Sequence, residues 1–408
     1  MIVGQFVGKA ALASVGGSAT QLINLVVGFF TGLSSGASVV IAQFFGAKDE
    51  RSVKESLHTA YAFSILGSIV ISALGIGLAP QLLRWMNTPE ELLADSTLYL
   101  RIYFAGILFV FIFNVGSSIL RAVGDSKNPL YYLIACCFIN IFLDLLFVIV
   151  FHLGVAGVAY ATFLSQAISA LLVTHKLMTS HSILTLKIRD IRLHKNVLKS
   201  QLWIGLPAGF QSVMYSISNV IIQAALNRFG TDTVAAWSAY GKLDAIFWMV
   251  SGAIGISITT FVGQNYGARK YDRVHKSVRI CLGIDSIISV ILIVFLMLFR
   301  VPLFRLFTQD PSVIRIGSDM LALITPCYIF FVFIEVLAGA LRGMGDVMIP
   351  TLITLLGVCV LRLIWIAVVL QISPTVNAII YSYPVTWIAT AVLFIIYYLH
   401  KKKRILKA

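Results

Sequence analysis

Long apolar runs separated by short polar segments make up most of this chain. Eleven runs reach the length of about 20 residues that a helix needs to cross a hydrocarbon layer about 30 Å thick. Backbone polar groups in lipid must be satisfied within their own segment, so runs this long predict helices rather than barrel strands. The predicted spans are 11–45, 56–79, 97–120, 130–151, 154–178, 202–227, 234–263, 276–299, 317–341, 349–371 and 376–399.

Composition narrows the class of protein. Of 408 residues, 59% are hydrophobic and 12% are charged, and the mean hydropathy is +0.93. Soluble domains carry about 25% charged residues, so this chain has too little charge to cover a water-facing surface. The sequence excludes an ordinary soluble enzyme, a disordered chain and a coiled coil. It predicts an all-α membrane protein that is not an enzyme, and it shows no Walker-type nucleotide loop.

The basic residues indicate the orientation. The segments between spans lie alternately on the two sides of the membrane. Of 31 Lys and Arg, 22 lie in the segments on the side of the C-terminal end, 6 lie in the segments on the opposite side and 3 lie within spans. Because Lys and Arg are retained on the cytoplasmic side, this bias predicts a cytoplasmic C-terminus. The formal net charge of +14 is therefore interpreted as loop charge, and no nucleic-acid partner is expected.

The two halves of the chain repeat at a constant offset of 221 residues, which predicts two homologous helix-bundle lobes related as parallel repeats. We assign 1–178 to the N-terminal lobe, 179–200 to a basic cytoplasmic linker, 201–400 to the C-terminal lobe and 401–408 to a basic cytoplasmic tail. The matching positions are Gln43 and Gln264, Gly46 and Gly267, Ala47 and Ala268, Lys48 and Arg269, Arg84 and Arg305, Leu120-Arg121-x-x-Gly124-Asp125 and Leu341-Arg342-x-x-Gly345-Asp346, Pro129 and Pro350, and Tyr160 and Tyr381.

The repeat is unequal in span number. The first lobe shows five spans and the second shows six, so we expect the first lobe to lack its first helix. The linker 179–200 contains regularly placed apolar residues, which is typical either of an amphipathic helix on the inner leaflet or of a plain linker.

Asp144 is the strongest candidate for a functional residue, because an ionisable group inside hydrocarbon is costly unless it is paired or hydrated. Asn140 precedes it by four residues, so both side chains lie on one helix face. Together they offer hard oxygen ligands for Na⁺, or the carboxyl group takes up and releases a proton; the alternative is a helix–helix hydrogen-bond anchor. The second lobe has Leu361 and Trp365 at the equivalent positions, so the repeat itself does not require the acid.

Other charged residues also fall within spans. Glu335 is interpreted either as a coupling or substrate-attracting acid, or as the ion-pair partner of Arg362. Lys242 and Asp244 are two residues apart and diverge on a helix, so they are not expected to pair, and Lys242 is expected to extend towards the outer interface. Asp285 and Asp319 are predicted to be interfacial.

Small and polar residues mark two further features. Gly28, Gly32 and Gly36 form a small-xxx-small ridge, which predicts close helix packing or, alternatively, sliding between lobes. In the two loops that correspond under the repeat, turns are predicted at Gly124–Asp125 and at Gly345–Asp346. There Arg121, Asp125, Arg342 and Asp346 either cap helices and contact lipid headgroups, or help to close the cytoplasmic side.

The ordered set of motifs resembles the multidrug and toxic compound extrusion (MATE) family of secondary transporters. The carrying segments are VGQFVGKAALASVG, GASVVIAQFFGAKD, LRAVGDSKNP and LRGMGD. The resemblance implies two lobes around a central cavity, and export of organic, often cationic and lipophilic compounds in exchange for H⁺ or Na⁺. It further implies no cofactor, a drug-like substrate, surrounding membrane lipid, a monomer, and the plasma (inner) membrane of a prokaryote.

By the same resemblance, Asn140, Asp144 and Thr162 match three residues of a first-lobe cation site, whose fourth member would lie on the missing helix. No other metal site is expected. Glu335 resembles a second-lobe acid of some members. Two alternatives remain. One is a lipid-linked oligosaccharide flippase of related fold, which an arginine-lined cavity would favour. The other is a non-transporting, truncated membrane protein.

Overall fold

The computed structural model describes residues 2–180 and 183–405, and within these ranges every regular element is helical. The chain forms two compact units, Met1–Gly209 and Phe210–Ala408, which divide inside one long helix. The bounds of the lobes, linker and tail given above remain predictions, and Lys407 lies outside the described residues.

The first unit contains eight helices and the start of a ninth. They are α1 (Ile2–Phe6), α2 (Lys9–Gly16), α3 (Ser18–Gly46), α4 (Glu50–Trp85), α5 (Glu90–Ala105), α6 (Ile107–Ala122), α7 (Lys127–Leu145), α8 (Gly154–Thr179) and the first part of α9 (Lys195–Asn227). A π-helical segment, Leu146–Val150, extends α7.

The second unit contains the rest of α9 and nine further helices. They are α10 (Thr231–Gly267), α11 (Tyr271–Leu298), α12 (Arg300–Arg305), α13 (Pro311–Ile324), α14 (Tyr328–Gly343), α15 (Met348–Thr354), α16 (Leu361–Ile372), α17 (Val376–Ile380) and α18 (Ser382–Ile405). A π-helical segment, Leu355–Val360, joins α15 to α16.

Within the described residues, nine helical segments are long and apolar enough to cross a membrane, and α5 with α6 forms a further, bent candidate. These two helices meet at Gly106 with a bend of 48°, so the predicted span 97–120 is broken rather than straight. The one predicted span without a counterpart among these candidates is 202–227. It lies within the continuous helix α9, where glutamine, serine and asparagine interrupt the apolar sequence.

The repeat is confirmed in the backbone. Lys48 and Arg269 adopt left-handed φ angles of 60° and 56° where α3 and α10 end. At the ends of α6 and α14, Gly124 and Gly345 have φ angles of 95° and 82°. The following amides, of Asp125 and Asp346, each donate to the carbonyl five residues earlier, at 2.9 and 3.0 Å. This is a Schellman cap, which requires the left-handed residue that glycine adopts without strain.

The segment between α8 and α9 is not an amphipathic helix. Its only regular element among the described residues is one 3₁₀ turn, Ile188–Asp190. Leu184 and Leu186 are buried within the first unit, and the Lys187 amide donates to His58 Nε2 of α4 at 3.1 Å. The apolar residues that suggested an interfacial helix therefore anchor an extended linker to the protein.

Two glycine ridges face each other within the first unit. Gly32 and Gly36 of α3 lie against Ala208 and Gly205 of α9. A Cβ atom added to Gly36 would lie 2.6 Å from the Gly205 amide nitrogen, and one added to Gly32 would lie 2.6 Å from the Ala208 carbonyl carbon. Small-xxx-small ridges allow such close backbone contact between membrane helices, so the predicted close packing is confirmed for Gly32 and Gly36.

The variant Gly36→Ala is expected to destabilise the first unit by about 1–3 kcal/mol, because overpacking forces backbone shifts. Gly77→Ala on α4 is the matched control, since a Cβ there meets nothing within 4 Å. Thermal unfolding of the purified protein in detergent is expected to give a lower midpoint for the first variant and an unchanged or slightly higher one for the second. Equal midpoints would contradict this packing.

Candidate transport sites

The second unit encloses a cavity of about 540 Å³, within the range of small-molecule sites. Half of its lining side chains are aromatic, and three are acidic or basic. The lining residues come from α9, α10, α14, α16, α18 and the segment before α16. They are Tyr215, Asn219, Gln223, Trp237, Tyr240, Gly241, Asp244, Trp248, Phe331, Glu335, Val358, Arg362, Tyr383 and Trp387.

Asp244 is the most highly coordinated acid of the cavity. One carboxylate oxygen accepts from the Tyr328 hydroxyl at 2.5 Å and from the Tyr240 hydroxyl at 3.2 Å. The other accepts from Trp248 Nε1 at 2.6 Å. Burial of a charge is tolerated when its oxygens are hydrogen-bonded, so these three donors fix the carboxylate in place.

Sequence reasoning assigned Asp244 no function, although one signal was present. Tyr240, Asp244 and Trp248 follow one another at four-residue spacing, so they lie on one face of α10 with two donors flanking the acid. Lys242, two residues away, is exposed and does not pair with the acid, as predicted.

Aromatic rings pack against the residues that hold the Asp244 carboxylate. Tyr328 stacks on Phe247 with ring centroids 3.9 Å apart, and Trp248 meets Phe331 edge-on at 4.5 Å. Trp387, which is 1% exposed, contacts both Phe331 and Tyr383, each at 5.5 Å. Rings held by their neighbours offer fixed faces to the cavity.

The predicted ion pair between Glu335 and Arg362 is wrong. The Arg362 guanidinium lies 3.9 Å from the centroid of the Tyr383 ring and donates to the Thr386 hydroxyl at 3.2 Å. Glu335 packs against α10 at Gly255, where a Cβ would lie 3.0 Å from its Cγ. Among the described residues no ion pair joins the two, because a cation–π contact holds the arginine instead.

The acid and the amide of α7 share one face of that helix by their four-residue spacing. Asn140 Nδ2 and Asp144 Oδ1 are both buried without a hydrogen-bond partner. Tyr99 of α5 lies beside the Asp144 carboxylate and contacts Thr162 of α8. Tyr99 thus links the Asp144 carboxylate of α7 to Thr162 of α8. Sequence reasoning missed Tyr99, which sits in an apolar run without a motif.

Asp285 is not interfacial, contrary to the prediction. Its side chain is fully buried near the middle of α11. One oxygen accepts from the Ser251 hydroxyl at 3.2 Å, and the other has no partner. Asp319 is exposed, as expected for an interface residue.

The MatE family model matches residues 1–146 and 207–368, which is more than half of the chain. The chain belongs to the MatE family. It is 32% identical over 366 residues to the probable multidrug resistance protein YpnP of Bacillus subtilis, covering 88% of this chain and 80% of that protein. It is 30% identical over 365 residues to YoeA of the same organism, also named a probable multidrug resistance protein, covering 88% and 79%.

A solved structure of an outward-facing multidrug resistance MATE transporter shares the fold. The TM-score is 0.93 at 21% identity, covering 100% of this chain and 92% of the other. This MatE chain is therefore an all-α membrane transporter of two homologous lobes, and not an enzyme, as predicted.

In this MatE chain the first of the paired loops is closed by local contacts. Arg121 donates to the Ser118 hydroxyl at 3.1 Å. Asp125 accepts from the amide of Asn128 at 3.1 Å and from its side-chain amide at 2.6 Å. The bonds to Asp125 satisfy an amide in the first turn of α7, which is the predicted capping, whereas the bond from Arg121 lies within α6.

The second loop is fixed more strongly. Asp346 accepts from the Tyr397 hydroxyl at 2.7 Å and forms an ion pair with Lys401 Nζ at 2.8 Å. Both partners belong to α18, so this helix continues into the predicted tail. Arg342 is half-buried two turns after Glu335. A part for either loop in closing the cytoplasmic side remains a prediction.

Proposed function

We propose that this chain is a secondary antiporter that exports organic, often cationic and lipophilic compounds in exchange for H⁺ or Na⁺. The observation that carries the proposal is the second-unit cavity, in which Asp244 lies among aromatic rings. The names of the two Bacillus relatives support drug-like substrates. The proposal includes a monomer in the plasma membrane, with the C-terminus in the cytoplasm as the distribution of Lys and Arg favours.

The charges of this cavity favour a cation as substrate. Asp244 and Glu335 bring two carboxylates, while Arg362 is the one arginine among the lining residues described, and its guanidinium already faces Tyr383. Ionised together, the three leave one negative charge, and aromatic faces attract cations through their quadrupoles. A flippase for a phosphate-linked sugar requires the opposite polarity, so this lining supports the exporter.

The coupling ion is assigned to the first-unit group of Asn140, Asp144 and Thr162, with Glu335 as a second candidate. The unpartnered carboxylate oxygen of Asp144 is an acceptor that a small cation or a proton can satisfy, and Asn140 and Thr162 add side-chain oxygens on α7 and α8. A bound ion shifts the balance between inward-open and outward-open states only when the two states bind it differently. The site therefore accounts for coupling without a cofactor.

Efflux under separately imposed gradients tests this function. The full chain is reconstituted in liposomes loaded with ethidium, a fluorescent lipophilic cation, and either a proton or a sodium gradient is imposed across the membrane. We expect one gradient to accelerate ethidium movement over protein-free liposomes carrying the same gradient. If neither gradient changes the rate, the chain is not a coupled exporter of such cations, and the non-transporting alternative is favoured.

A further inference from the structure

Three arginines gather at one end of the second unit, away from the aromatic cavity. They line a second cavity of about 500 Å³ where α12 meets α13. Arg305 and Arg315 are exposed and Arg300 is half-buried. The remaining lining residues are Val301, Gln309, Pro311, Ile314, Ser318 and Asp319. We call this set the arginine pocket.

The positive charge of the arginine pocket is not balanced. Over the part of the chain that the structure describes, no ion pair or hydrogen bond involves the guanidinium group of Arg300, Arg305 or Arg315. Asp319 lines the pocket, which leaves an excess of two positive charges. Asp310, the other nearby acid, caps α13: hydrogen bonds from the Ser312 hydroxyl and amide and from the next amide hold its pKa below the usual range.

A buried donor points to a ligand in the same place. Ser318 lines the pocket and is 6% exposed, yet its hydroxyl has no hydrogen-bond partner. A buried hydroxyl without a partner is costly, and this one lines the same pocket as the three arginines. All four side chains carry hydrogen-bond donors for which the described residues supply no acceptor.

The repeat does not require this arrangement. At the offset of 221 residues, Arg305 corresponds to Arg84, whereas the positions equivalent to Arg300, Arg315 and Ser318 hold Ala79, Ala94 and Thr97. The first unit thus keeps one arginine of the three. The cluster is specific to the second unit, so the fold alone does not account for it.

We propose that the arginine pocket binds a phosphate group, carried by an anionic phospholipid. Planar guanidinium groups bind tetrahedral oxyanions through paired hydrogen bonds, and the Ser318 hydroxyl supplies a further donor. The pocket lies at the opposite end of α11 from the basic turn at Arg269. The 28 residues of that helix extend about 42 Å, which reaches the headgroup layer of a bilayer.

Neighbouring apolar side chains favour a lipid over a free phosphate ion. Leu298 and Leu306 flank the arginines and are 72% and 79% exposed, and Phe299 and Phe307 are about half exposed. A phospholipid places its acyl chains beside its phosphate, so it contacts these side chains and the guanidinium groups together. Free phosphate uses only the guanidinium groups and the hydroxyl.

Native mass spectrometry of the full chain in a neutral detergent tests the proposal. Phosphatidylglycerol and phosphatidylcholine with the same acyl chains are titrated separately, and retained lipid is counted. The wild type is expected to retain at least one phosphatidylglycerol more tightly than phosphatidylcholine. The triple variant Arg300→Gln, Arg305→Gln, Arg315→Gln is expected to bind phosphatidylglycerol at least about tenfold more weakly, since each charged hydrogen bond is worth about a factor of ten or more.

Matched variants separate binding from folding. Arg84→Gln removes the equivalent arginine of the first unit and is expected to change nothing. Ser318→Ala is expected to weaken phosphatidylglycerol binding without lowering thermal stability, because it removes a buried hydroxyl that has no partner in the protein. Replacing the three arginines by lysine keeps the charge but loses the paired hydrogen-bond geometry. Its affinity for phosphatidylglycerol is therefore expected to lie between those of the wild type and the glutamine variant. It replaces the glutamine variant in the test if that variant fails to fold.

Inorganic phosphate distinguishes the source of the ligand. If phosphate raises the thermal midpoint of the wild type but not of the triple variant, and phosphatidylglycerol shows no preference over phosphatidylcholine, the pocket holds a free oxyanion and the phosphate chemistry stands. If the wild type and the triple variant retain phosphatidylglycerol equally and neither responds to phosphate, the proposal is overturned. These readouts do not depend on transport, so they are independent of the exporter proposal.

Discussion

Replacing Asp144 by asparagine is expected to reduce gradient-driven ethidium efflux to the rate of protein-free liposomes. Asparagine has the shape of aspartate but cannot carry the charge that binds Na⁺ or the proton that is exchanged. Asn140 and Thr162 remain in place, so the helices α7 and α8 are expected to pack as before. The measurement is the initial efflux rate in liposomes that contain equal amounts of correctly inserted protein.

The matched control for this variant is Asp95→Asn. Asp95 is an exposed acid of α5, and its neutralisation is expected to leave the rate unchanged. The variant Asn140→Ala then separates the two ions: loss of a Na⁺ ligand raises the sodium concentration needed for half-maximal rate, whereas a proton mechanism is expected to be nearly unaffected. Wild-type efflux by Asp144→Asn would exclude this carboxylate as the coupling group.

The second large effect is expected on the binding of organic cations when Asp244 is replaced. The variant Asp244→Asn keeps an acceptor oxygen for the tyrosine hydroxyls but removes the negative charge from the cavity. Binding of a monovalent organic cation is therefore expected to weaken by about tenfold or more, equivalent to at least about 1.4 kcal/mol, while binding of an uncharged analogue of the same shape stays within twofold or so. Quenching of the cavity tryptophans Trp237, Trp248 and Trp387 reports the Kd directly.

Two comparisons make this result specific. Asp244→Ala is expected to bind the cation more weakly than the asparagine variant and to lower the stability of the fold. The reason is that it leaves the donors of Tyr240, Tyr328 and Trp248 unpaired. Asp272→Asn, an exposed acid on α11, is expected to bind the cation as the wild type does. Equal weakening for the charged and the uncharged ligand would show that Asp244 shapes the cavity rather than attracting charge.

The fold was predictable because its signals are local or repeated. Apolar runs of membrane length predicted the helices, and the constant offset predicted the repeat. The structure adds that the paired residues Lys48 and Arg269 share a left-handed backbone. The same offset holds in tertiary contacts: the Ser38 hydroxyl donates to the Ser118 carbonyl at 3.1 Å, and the Thr259 hydroxyl donates to the equivalent carbonyl, of Gly339, at 3.0 Å.

The site was harder to predict because its partners are distant in sequence. The Asp244 carboxylate accepts a hydrogen bond from the Tyr328 hydroxyl, 84 residues away, and no pattern along α10 predicts that donor. Glu335 and Arg362 have opposite charges within spans, which suggested a pair, but opposite charge does not reveal that an aromatic ring already holds the arginine.

The error at Asp285 has a different origin. The predicted span began at 276, whereas α11 begins at Tyr271 because the charged residues after the turn form its first two turns. Helix ends are the least certain part of a sequence-based prediction. Within the predicted span Asp285 is the tenth of 24 residues, whereas in α11 it is the fifteenth of 28, so the five-residue shift places the acid at the middle of the helix.

Substrate-driven ion movement tests the central claim most directly. In liposomes that hold the wild-type chain and a dye that reports internal pH or Na⁺, external organic cation is added without any imposed gradient. We expect the added cation to drive H⁺ or Na⁺ in the opposite direction, at a rate that saturates with substrate and is absent in Asp144→Asn. Ion movement that is independent of substrate, or that is the same in the wild type and in Asp144→Asn, would contradict coupled exchange through this carboxylate.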